Sequence, residues 1–279
     1  MADKNQSSDA RALAANWWRT EIIEMEPNKI NFRGHPIEQL IGEVSFVDMI
    51  WFMLVGAFPT KAQSRLIGAA LVAGVDHGPQ APSIAIARMA ITCGGSINNA
   101  LASAVNVLDD VHGGAGEQAI MLFQDIQRRV EEGAELFEAT LHGLDHWRGK
   151  HGQIIPGFGH RFHKIDPRAP KLMELVNAAA AEGEVSGAFA DIALEIETQL
   201  CATKGRRIPM NIDGATAVVF AELGLPAPLG RALFCLSRSV GILAHAWEQQ
   251  LQGGRNKGPL PKGWLWEYQG AEPHEYKPT

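Results

Sequence analysis

Cysteine is scarce in this sequence, and its placement argues against a disulfide framework. Among 279 residues there are three cysteines, Cys93, Cys201 and Cys235. They are odd in number, far apart and embedded in apolar stretches, which is typical of free thiols in a reducing compartment. We therefore expect three free, buried thiols. A nucleophilic cysteine is the less favoured alternative.

Neither a basic surface nor a membrane span is evident. The formal net charge is -6, whereas nucleic-acid binding usually needs a basic face. Residues 1–10 are polar, unlike a signal peptide. The longest apolar run, residues 46–58, contains Asp48 and is too short to cross a bilayer. The sequence therefore predicts a cytoplasmic protein that binds neither nucleic acid nor membrane, and any anion would need a local basic patch.

Nucleotide-binding loops and metal clusters are also missing. No GxxxxGK[ST] loop occurs, and Gly157-Phe-Gly159 does not follow a strand, as a dinucleotide fingerprint would. His142 and His146 have the i, i+4 spacing that places two histidines on one helix face, with His151 close behind. Because no further ligand stands at a reliable spacing, we expect no metal.

Helical patterns fill most of the chain, which with 46% hydrophobic residues can bury a sizeable core. Ser45 and Thr60 begin capping-box patterns that open helices. Strand-like runs are rare, apart from a short hairpin predicted over Glu21–Arg33, and the tail after Gly253 should be irregular. Further helices are predicted between Gly and Pro breaks, at about 82–93, 95–109, 115–132, 134–148, 168–182, 186–203, 211–223 and 228–251.

Four breaks carry polar residues that a plain helical bundle does not need: 76–79 (DHGP), 111–115 (VHGGA), 156–161 (PGFGHR) and 211–214 (NIDG). Glycines before a helix let the backbone approach a ligand and leave N–H groups free to bind it. The alternative is helix punctuation beside solvated histidines.

A set of three residues from these breaks suits carbon–carbon chemistry. His112 and His160, each beside a glycine hinge, are placed to polarise two carbonyl groups. Asp213 is a carboxylate that can move a proton to or from carbon. Together they make a minimal apparatus for an aldol or Claisen reaction. The alternative for Asp213 is structural, since it or Asn211 could cap the helix that follows.

Cationic residues cluster near the same breaks. His160, Arg161, His163, Lys164 and Arg168 crowd one short segment, and Lys204, Arg206 and Arg207 precede Pro209. Arg238 stands in the apolar stretch Leu233–Leu243, where a charge is costly unless it is paired or faces an anion. Arginine binds carboxylates and phosphates in bidentate fashion, so both are candidate ligands. Each cation also has a plain alternative as a surface or ion-paired residue.

In their order along most of the chain, these motifs resemble the citrate synthase superfamily. Phe32–Leu40 is similar to that family's RGYPIEEL segment, and the four breaks, the Asp166-Pro167-Arg168 run and Ser237-Arg238 follow in order. The resemblance implies an all-α fold of two helical domains with the active site in the cleft between them. It places a shortened large domain at residues 1–112 plus 227–279 and a small domain at 113–226.

The same resemblance implies roles for individual residues. His112 matches the histidine that stabilises the acetyl-CoA enol, and Asp213 the carboxylate that exchanges the methyl proton. His160 matches the histidine that holds the oxo or hydroxyl oxygen of the acid. Residues that match carboxylate-binding positions are His77, Arg168, Arg238 and, across a subunit boundary, Arg255. Residues implied to bind coenzyme A are Gly157, Gly159, Lys164, Lys204, Arg206 and Arg207.

Departures from the synthase pattern favour one branch of the superfamily. Only 41 residues separate Gly34 from Asp76, where citrate synthases carry a longer helical segment. The 76–79 and 211–214 breaks are more similar to citryl-CoA lyases, including the lyase module of ATP citrate lyase. That module lacks a histidine at the position of His112. The presence of His112 in this chain is therefore a feature shared with the synthases.

The combination implies a citryl-CoA lyase-like enzyme that cleaves citryl-CoA to acetyl-CoA and oxaloacetate. The alternatives are citrate or methylcitrate synthase, and a CoA-binding regulator without catalysis. We expect no cofactor beyond the coenzyme A of the substrate and a homodimer or higher homo-oligomer. The partners would be a CoA thioester, a di- or tricarboxylic acid, and a separate enzyme that makes citryl-CoA.

Overall fold

The computed structural model describes residues 13–160 and 163–277. The chain is 58% helix and 5% strand, which confirms the predicted all-α class. Its strands are β1 (Ile23–Glu26), β2 (Lys29–Phe32) and β3 (His35–Pro36). The helices that follow are α1 (Ile37–Leu40), α2 (Phe46–Val55), α3 (Lys61–Gly74), α4 (Pro82–Thr92), α5 (Ile97–Val105), α6 (Ala115–Glu131), α7 (Leu136–His151), α8 (Arg168–Ala181), α9 (Ala188–Lys204), α10 (Ile212–Glu222) and α11 (Ala227–Gln252).

Local sequence signals fix several of these boundaries. The Ser45 side chain accepts a hydrogen bond from the backbone N–H of Asp48 at the start of α2. Thr60 and Gln63 form the predicted capping box of α3. The predicted hairpin is present as β1 and β2, and β3 adds a third strand antiparallel to β2. The predicted helix 95–109 ends earlier, at Val105, because the chain must turn before residue 112.

Two buried apolar clusters are joined by one long helix. The larger cluster draws on α3, α6 to α10 and the first half of α11, through residues such as Ile67, Phe123 and Leu233. The smaller one lies between α4, α5 and the second half of α11, around Ile84 and Ile242. Helix α11 therefore spans both clusters. The division into domains at residues 112 and 226 stays a prediction.

Helix α11 has 26 residues and is apolar enough, by length and composition alone, to cross a membrane. One side of the helix packs against α3, α4, α5 and α6, whereas Val240, Trp247 and Leu251 are exposed. Two glycines permit the close approach. A Cβ on Gly230 would lie 2.5 Å from a methyl carbon of Ile120, and one on Gly241 would overlap the carbonyl oxygen of Val75.

We expect Gly241→Ala to destabilise the protein by about 1–3 kcal/mol, because an added methyl group has no room against a backbone oxygen. Urea unfolding of the purified variant measures the effect. Gly149→Ala is the matched control, since Gly149 is a helical glycine of α7 with nothing within 4 Å of an added Cβ. That substitution should be neutral or stabilising by up to about 1 kcal/mol. Equal stability of the two variants would contradict the close packing of α11 on residues 75–76.

The prediction of buried thiols was wrong for the cysteines. All three are free, but Cys93 is exposed, and Cys201 and Cys235 are only half-buried. Cys93 caps the C-terminal end of α4, where the chain leaves the helix at Gly94. A position at a helix end is not covered by the next turn, although the surrounding sequence is apolar.

The irregular tail was predicted correctly: residues 253–277 form neither helix nor strand and are exposed.

Candidate active site

An open cavity of about 1210 Å³ collects side chains from all four polar breaks and from α11. Its lining includes every residue that was predicted to act on the acid or the acyl group, except Arg255: His77, His112, His160, Arg168, Asp213 and Arg238. The breaks are distant in sequence, so the fold creates this site by bringing loop ends together around the middle of α11.

His112 is held at the cavity wall by the start of α4. The backbone N–H of Ser83 donates to His112 Nε2 at 3.3 Å, and Ser83 Oγ lies 3.0 Å from the same nitrogen. A backbone N–H can only donate, so Nε2 carries the lone pair and the ring proton of the neutral imidazole sits on Nδ1. Burial, and secondarily the charge of Arg238, lowers the pKa of His112. The ring is therefore neutral at pH 7 and keeps an N–H that can donate to an oxygen.

The tautomer of His160, which is opposite to that of His112, is also set by a backbone N–H group. The backbone N–H of His163 donates to His160 Nδ1 at 3.1 Å, which leaves the proton of the neutral ring on Nε2. Burial lowers the pKa of His160. His163 and Arg168 act electrostatically in the same direction, and the negative charge of Asp166 opposes them. The His77 ring stands edge-on to it, with ring centroids 5.3 Å apart. Both imidazoles are thus neutral at pH 7, because burial also lowers the pKa of His77.

Asp213 lies in the first turn of α10, and Asn211 caps that helix. The Asn211 side-chain oxygen accepts from the backbone N–H groups of Asp213 at 2.9 Å and Gly214 at 3.2 Å. The sequence left the capping residue open between Asn211 and Asp213. Since Asn211 supplies the cap, the Asp213 carboxylate is left to face the cavity. Burial raises the pKa of Asp213 above the ordinary carboxyl value, despite the opposing effects of Arg238 and Arg168.

Asn211 also joins the Asp213 helix to the His160 loop. Its side-chain N–H donates to the carbonyl oxygen of Gly159 at 2.6 Å. Next to this bond the two backbones touch, and a Cβ on Gly157 would lie 2.7 Å from Gly214 Cα. Gly157 has a φ of 84°, a conformation that favours glycine. These contacts fix His160 relative to Asp213.

Arg238 is the buried cation of the site, with 4% of its surface exposed. Its Nε donates to the carbonyl oxygen of Gly74 at 3.1 Å, and its guanidinium carbon lies 4.8 Å from the centroid of the Phe234 ring. Within residues 13–160 and 163–277 it forms no ion pair within 4 Å, although the charges of Asp76 and Asp213 act on it. A buried guanidinium without a carboxylate partner, at the wall of a cavity, is suited to bind an anion.

Arg168 approaches the cavity differently, because it is paired. Its Nε and Nη2 donate to the two oxygens of Asp166 at 2.9 and 2.8 Å. Burial alone would raise the pKa of Asp166, but the hydrogen bonds from Arg168 and from the Ile212 backbone lower it to about 2. Asp166 is therefore ionised at any pH at which the protein works.

Coenzyme A contacts were predicted for residues that mostly lie outside this cavity. Only Gly159 lines it, and Gly157 packs against Gly214 instead. Arg207 forms an ion pair with Glu197 at 3.2 Å. Lys164, Arg206 and Arg255 are exposed, and the Lys204 side chain and Arg161 lie outside the described residues. The predicted roles of these residues toward coenzyme A, and of Arg255 across a subunit boundary, stay predictions.

Three residues important for the site were given no role by the sequence: Ser83, Asp166 and Phe234. Ser83 follows Pro82 at the start of a helix, a position with free backbone N–H groups, but only the fold shows that His112 meets it. Asp166 stands two residues before Arg168, and this spacing was the one feature of the sequence that could have indicated their ion pair.

The arrangement supports proton transfer at a carbon next to a carbonyl group. Two neutral imidazoles present N–H donors, one carboxylate has a raised pKa, and one buried arginine attracts an anion.

The described residues include no group of three or more His, Cys, Asp or Glu side chains arranged to hold a metal ion. His142 and His146 stand on α7, and the His151 ring stacks on Trp147 with centroids 4.2 Å apart.

Comparisons with known proteins show which family the chain is similar to. The family model for the citrate synthase C-terminal domain matches residues 60–259. The structure of citryl-CoA lyase from Hydrogenobacter thermophilus is similar, with a TM-score of 0.81 and 30% sequence identity, covering 94% of this chain and 98% of that one.

Two further relatives are more distant or longer. The structure of ATP citrate lyase from Methanothrix soehngenii, in complex with citrate and coenzyme A, has a TM-score of 0.76. Its identity is 20%, over 94% of this chain and 44% of that one, which shows the shared fold alone. Citrate synthase from Heyndrickxia coagulans is 32% identical over 219 residues, which is 76% of this chain and 54% of that protein. The chain spans about half the length of the curated relatives it matches.

Proposed function

The chain belongs to the citrate synthase family, and on that basis we propose that it cleaves citryl-CoA, or a close 3-hydroxy-3-carboxyacyl-CoA, to acetyl-CoA and a 2-oxo acid. The observation that carries the proposal is one cavity lined by His112, His160 and Asp213 with the buried Arg238 in its wall. With citryl-CoA the 2-oxo acid is oxaloacetate.

The cleavage follows from the tautomers and charges of these residues. The tertiary hydroxyl group loses its proton to water in the open cavity, while His160 Nε2–H holds the oxygen as it becomes a carbonyl. The carbon–carbon bond breaks, and its electron pair moves into the thioester to form an enolate, whose oxygen His112 Nδ1–H holds. Asp213, whose raised pKa favours the protonated form, delivers a proton to the terminal carbon and regains one from water. Arg238 and Arg168 bind the carboxylates of the acid.

Cleavage without thioester hydrolysis is favoured by the similarity to citryl-CoA lyase from Hydrogenobacter thermophilus, at a TM-score of 0.81 and 30% identity. It is also favoured by the short segment of 41 residues between Gly34 and Asp76. The second candidate is condensation of an acyl-CoA with oxaloacetate, as in citrate or methylcitrate synthase. It is favoured by the presence of His112, which matches the synthase pattern, and by the curated relatives, which are synthases.

A thiol-release assay separates the two candidates. Acetyl-CoA and oxaloacetate are mixed with the protein, and free CoA is followed with a thiol reagent. A synthase hydrolyses citryl-CoA and releases CoA continuously, whereas we expect this protein to release none. Brisk CoA release would favour the synthase, and calorimetric binding of CoA without any turnover of citryl-CoA would favour a non-catalytic regulator.

A separate enzyme should supply the thioester. Formation of citryl-CoA from citrate requires ATP or a second CoA thioester as the CoA donor, and the sequence contains no GxxxxGK[ST] loop. We propose that a CoA ligase or transferase precedes this protein in the reaction sequence, and that the protein acts in the cytoplasm as a homodimer without any cofactor besides CoA. Citrate, CoA and ATP together should yield no oxaloacetate in an assay coupled to malate dehydrogenase. ATP-dependent oxaloacetate release by the pure chain would contradict this division of labour.

A further inference from the structure

A carboxylate that does not line the cavity connects two parts of the site. We propose that Asp166 is a positioning residue: it holds Arg168 and the first turn of α10 in one geometry, so that carboxylate binding by Arg168 and the placement of Asp213 depend on each other. This inference rests on the proposed function for the role of Asp213, but its geometric part concerns binding of a dicarboxylic acid alone.

Asp166 uses both of its oxygens on these two elements. Oδ1 accepts from Arg168 Nε at 2.9 Å and from the Arg168 backbone N–H at 3.1 Å. Oδ2 accepts from Arg168 Nη2 at 2.8 Å and from the backbone N–H of Ile212 at 3.1 Å. Ile212 precedes Asp213 and begins α10. The Asp166 side chain has no exposed surface, so water does not compete for these bonds.

The bidentate pair also decides which edge of Arg168 an acid can reach. Nε and Nη2 face Asp166, and Nη1 lies 3.4 Å from the carbonyl oxygen of Ala73. The guanidinium plane is therefore fixed from two sides, and the remaining N–H groups point in defined directions. Among the described residues Arg238 forms no bidentate pair with a carboxylate, and its Nε donates to the carbonyl oxygen of Gly74. The site therefore combines one arginine held by a carboxylate with one that is held by a backbone oxygen.

The charge of Asp166 reaches Asp213 as well. Asp166 is ionised at working pH, since its pKa is about 2. A nearby negative charge disfavours a second one, and the charge of Asp166 accordingly acts to raise the pKa of Asp213. Asp213 acts in its protonated form, so its pKa sets the alkaline limb of the kcat profile. Loss of the Asp166 charge should lower the pKa of Asp213 and shift this alkaline limb to lower pH.

The test uses Asp166→Asn, which keeps the size of the side chain and removes its charge. Oxaloacetate binding is measured by calorimetry, independently of turnover. We expect affinity for oxaloacetate to fall by about 10- to 100-fold, as for loss of charge-assisted hydrogen bonds, while affinity for CoA stays unchanged. The alkaline limb of kcat with citryl-CoA should move to lower pH.

Glu222→Gln is the matched control, because Glu222 is a carboxylate at the other end of α10. It accepts backbone N–H groups at the start of α9, from Gly187 at 2.9 Å and Phe189 at 2.8 Å. This variant should lose stability but keep oxaloacetate affinity and the pH profile. If Asp166→Asn does not fold, Asp166→Glu, which keeps the charge on a longer side chain, should lower oxaloacetate affinity without moving the alkaline limb.

Wild-type oxaloacetate affinity in a folded Asp166 variant would overturn the inference, as would an equal loss in the Glu222 control. Failure of the proposed function is a separate result: the wild-type protein would then bind oxaloacetate but leave citryl-CoA uncleaved. In that case the calorimetric comparison still tests the geometric part of the role of Asp166.

Discussion

Asp213→Asn should remove most of the turnover of citryl-CoA, by about 10²–10⁴-fold, and leave the protein folded. The substitution keeps the size of the side chain and removes the proton that the enol carbon must receive. The helix cap should be unaffected, because Asn211 supplies it. Steady-state kinetics measure the loss, and circular dichroism confirms the fold. A near wild-type kcat would show that another group transfers the proton.

The same substitution should not cost stability at neutral pH. Burial raises the pKa of Asp213, so the folded protein disfavours the ionised carboxylate relative to the unfolded chain. This penalty is present above the folded pKa and disappears as pH falls below the unfolded value of about 3.9. We therefore expect Asp213→Asn to unfold at an equal or higher temperature at pH 7, with an advantage that vanishes in acid. A variant that is less stable at pH 7 would contradict the burial of the charge.

Arg238→Leu should weaken binding of a dicarboxylic 2-oxo acid by roughly 1.5–3 kcal/mol, or about 10- to 100-fold in Kd. Arg238 is buried, and within the described parts of the chain its one hydrogen bond is to a backbone carbonyl oxygen. Its charge is therefore available to the ligand. Binding of CoA should change little, and calorimetry with oxaloacetate and with CoA compares the two losses.

Arg88→Leu is the control for the loss of an arginine next to α11. Arg88 lies on α4 and is already paired with Glu248 of α11 at 2.5 Å. Its removal should leave oxaloacetate affinity unchanged. An equal loss of affinity for CoA and oxaloacetate in Arg238→Leu, or no loss at all, would place Arg238 outside the acid-binding site.

The sequence predicted the cavity residues well because they stand at helix breaks. Glycine and proline mark those breaks, and polar residues such as His112, His160 and Asp213 have little structural reason to be there. The resemblance to a known family then gave each of them a role, and the fold places them in one cavity. Arg238 was predicted for a different reason, since a charge inside an apolar helix requires an anion or a partner.

The remaining features depend on contacts between residues distant in sequence. The tautomer of His112 is set by the backbone N–H of Ser83, 29 residues away, and the N–H of Ile212 meets Asp166 over 46 residues. No local pattern predicts such pairs. Cys93 was misjudged because apolar neighbours in sequence do not guarantee neighbours in space at a helix end.

Product analysis by mass spectrometry, with preformed citryl-CoA as the substrate, tests the proposed cleavage most directly. We expect acetyl-CoA and oxaloacetate in equal amounts, without added metal or nucleotide, and almost none from Asp213→Asn. Both candidate activities start from this same thioester, so the products distinguish them. Citrate and free CoA as the products would contradict the proposed cleavage and show that the protein hydrolyses the thioester as a synthase does.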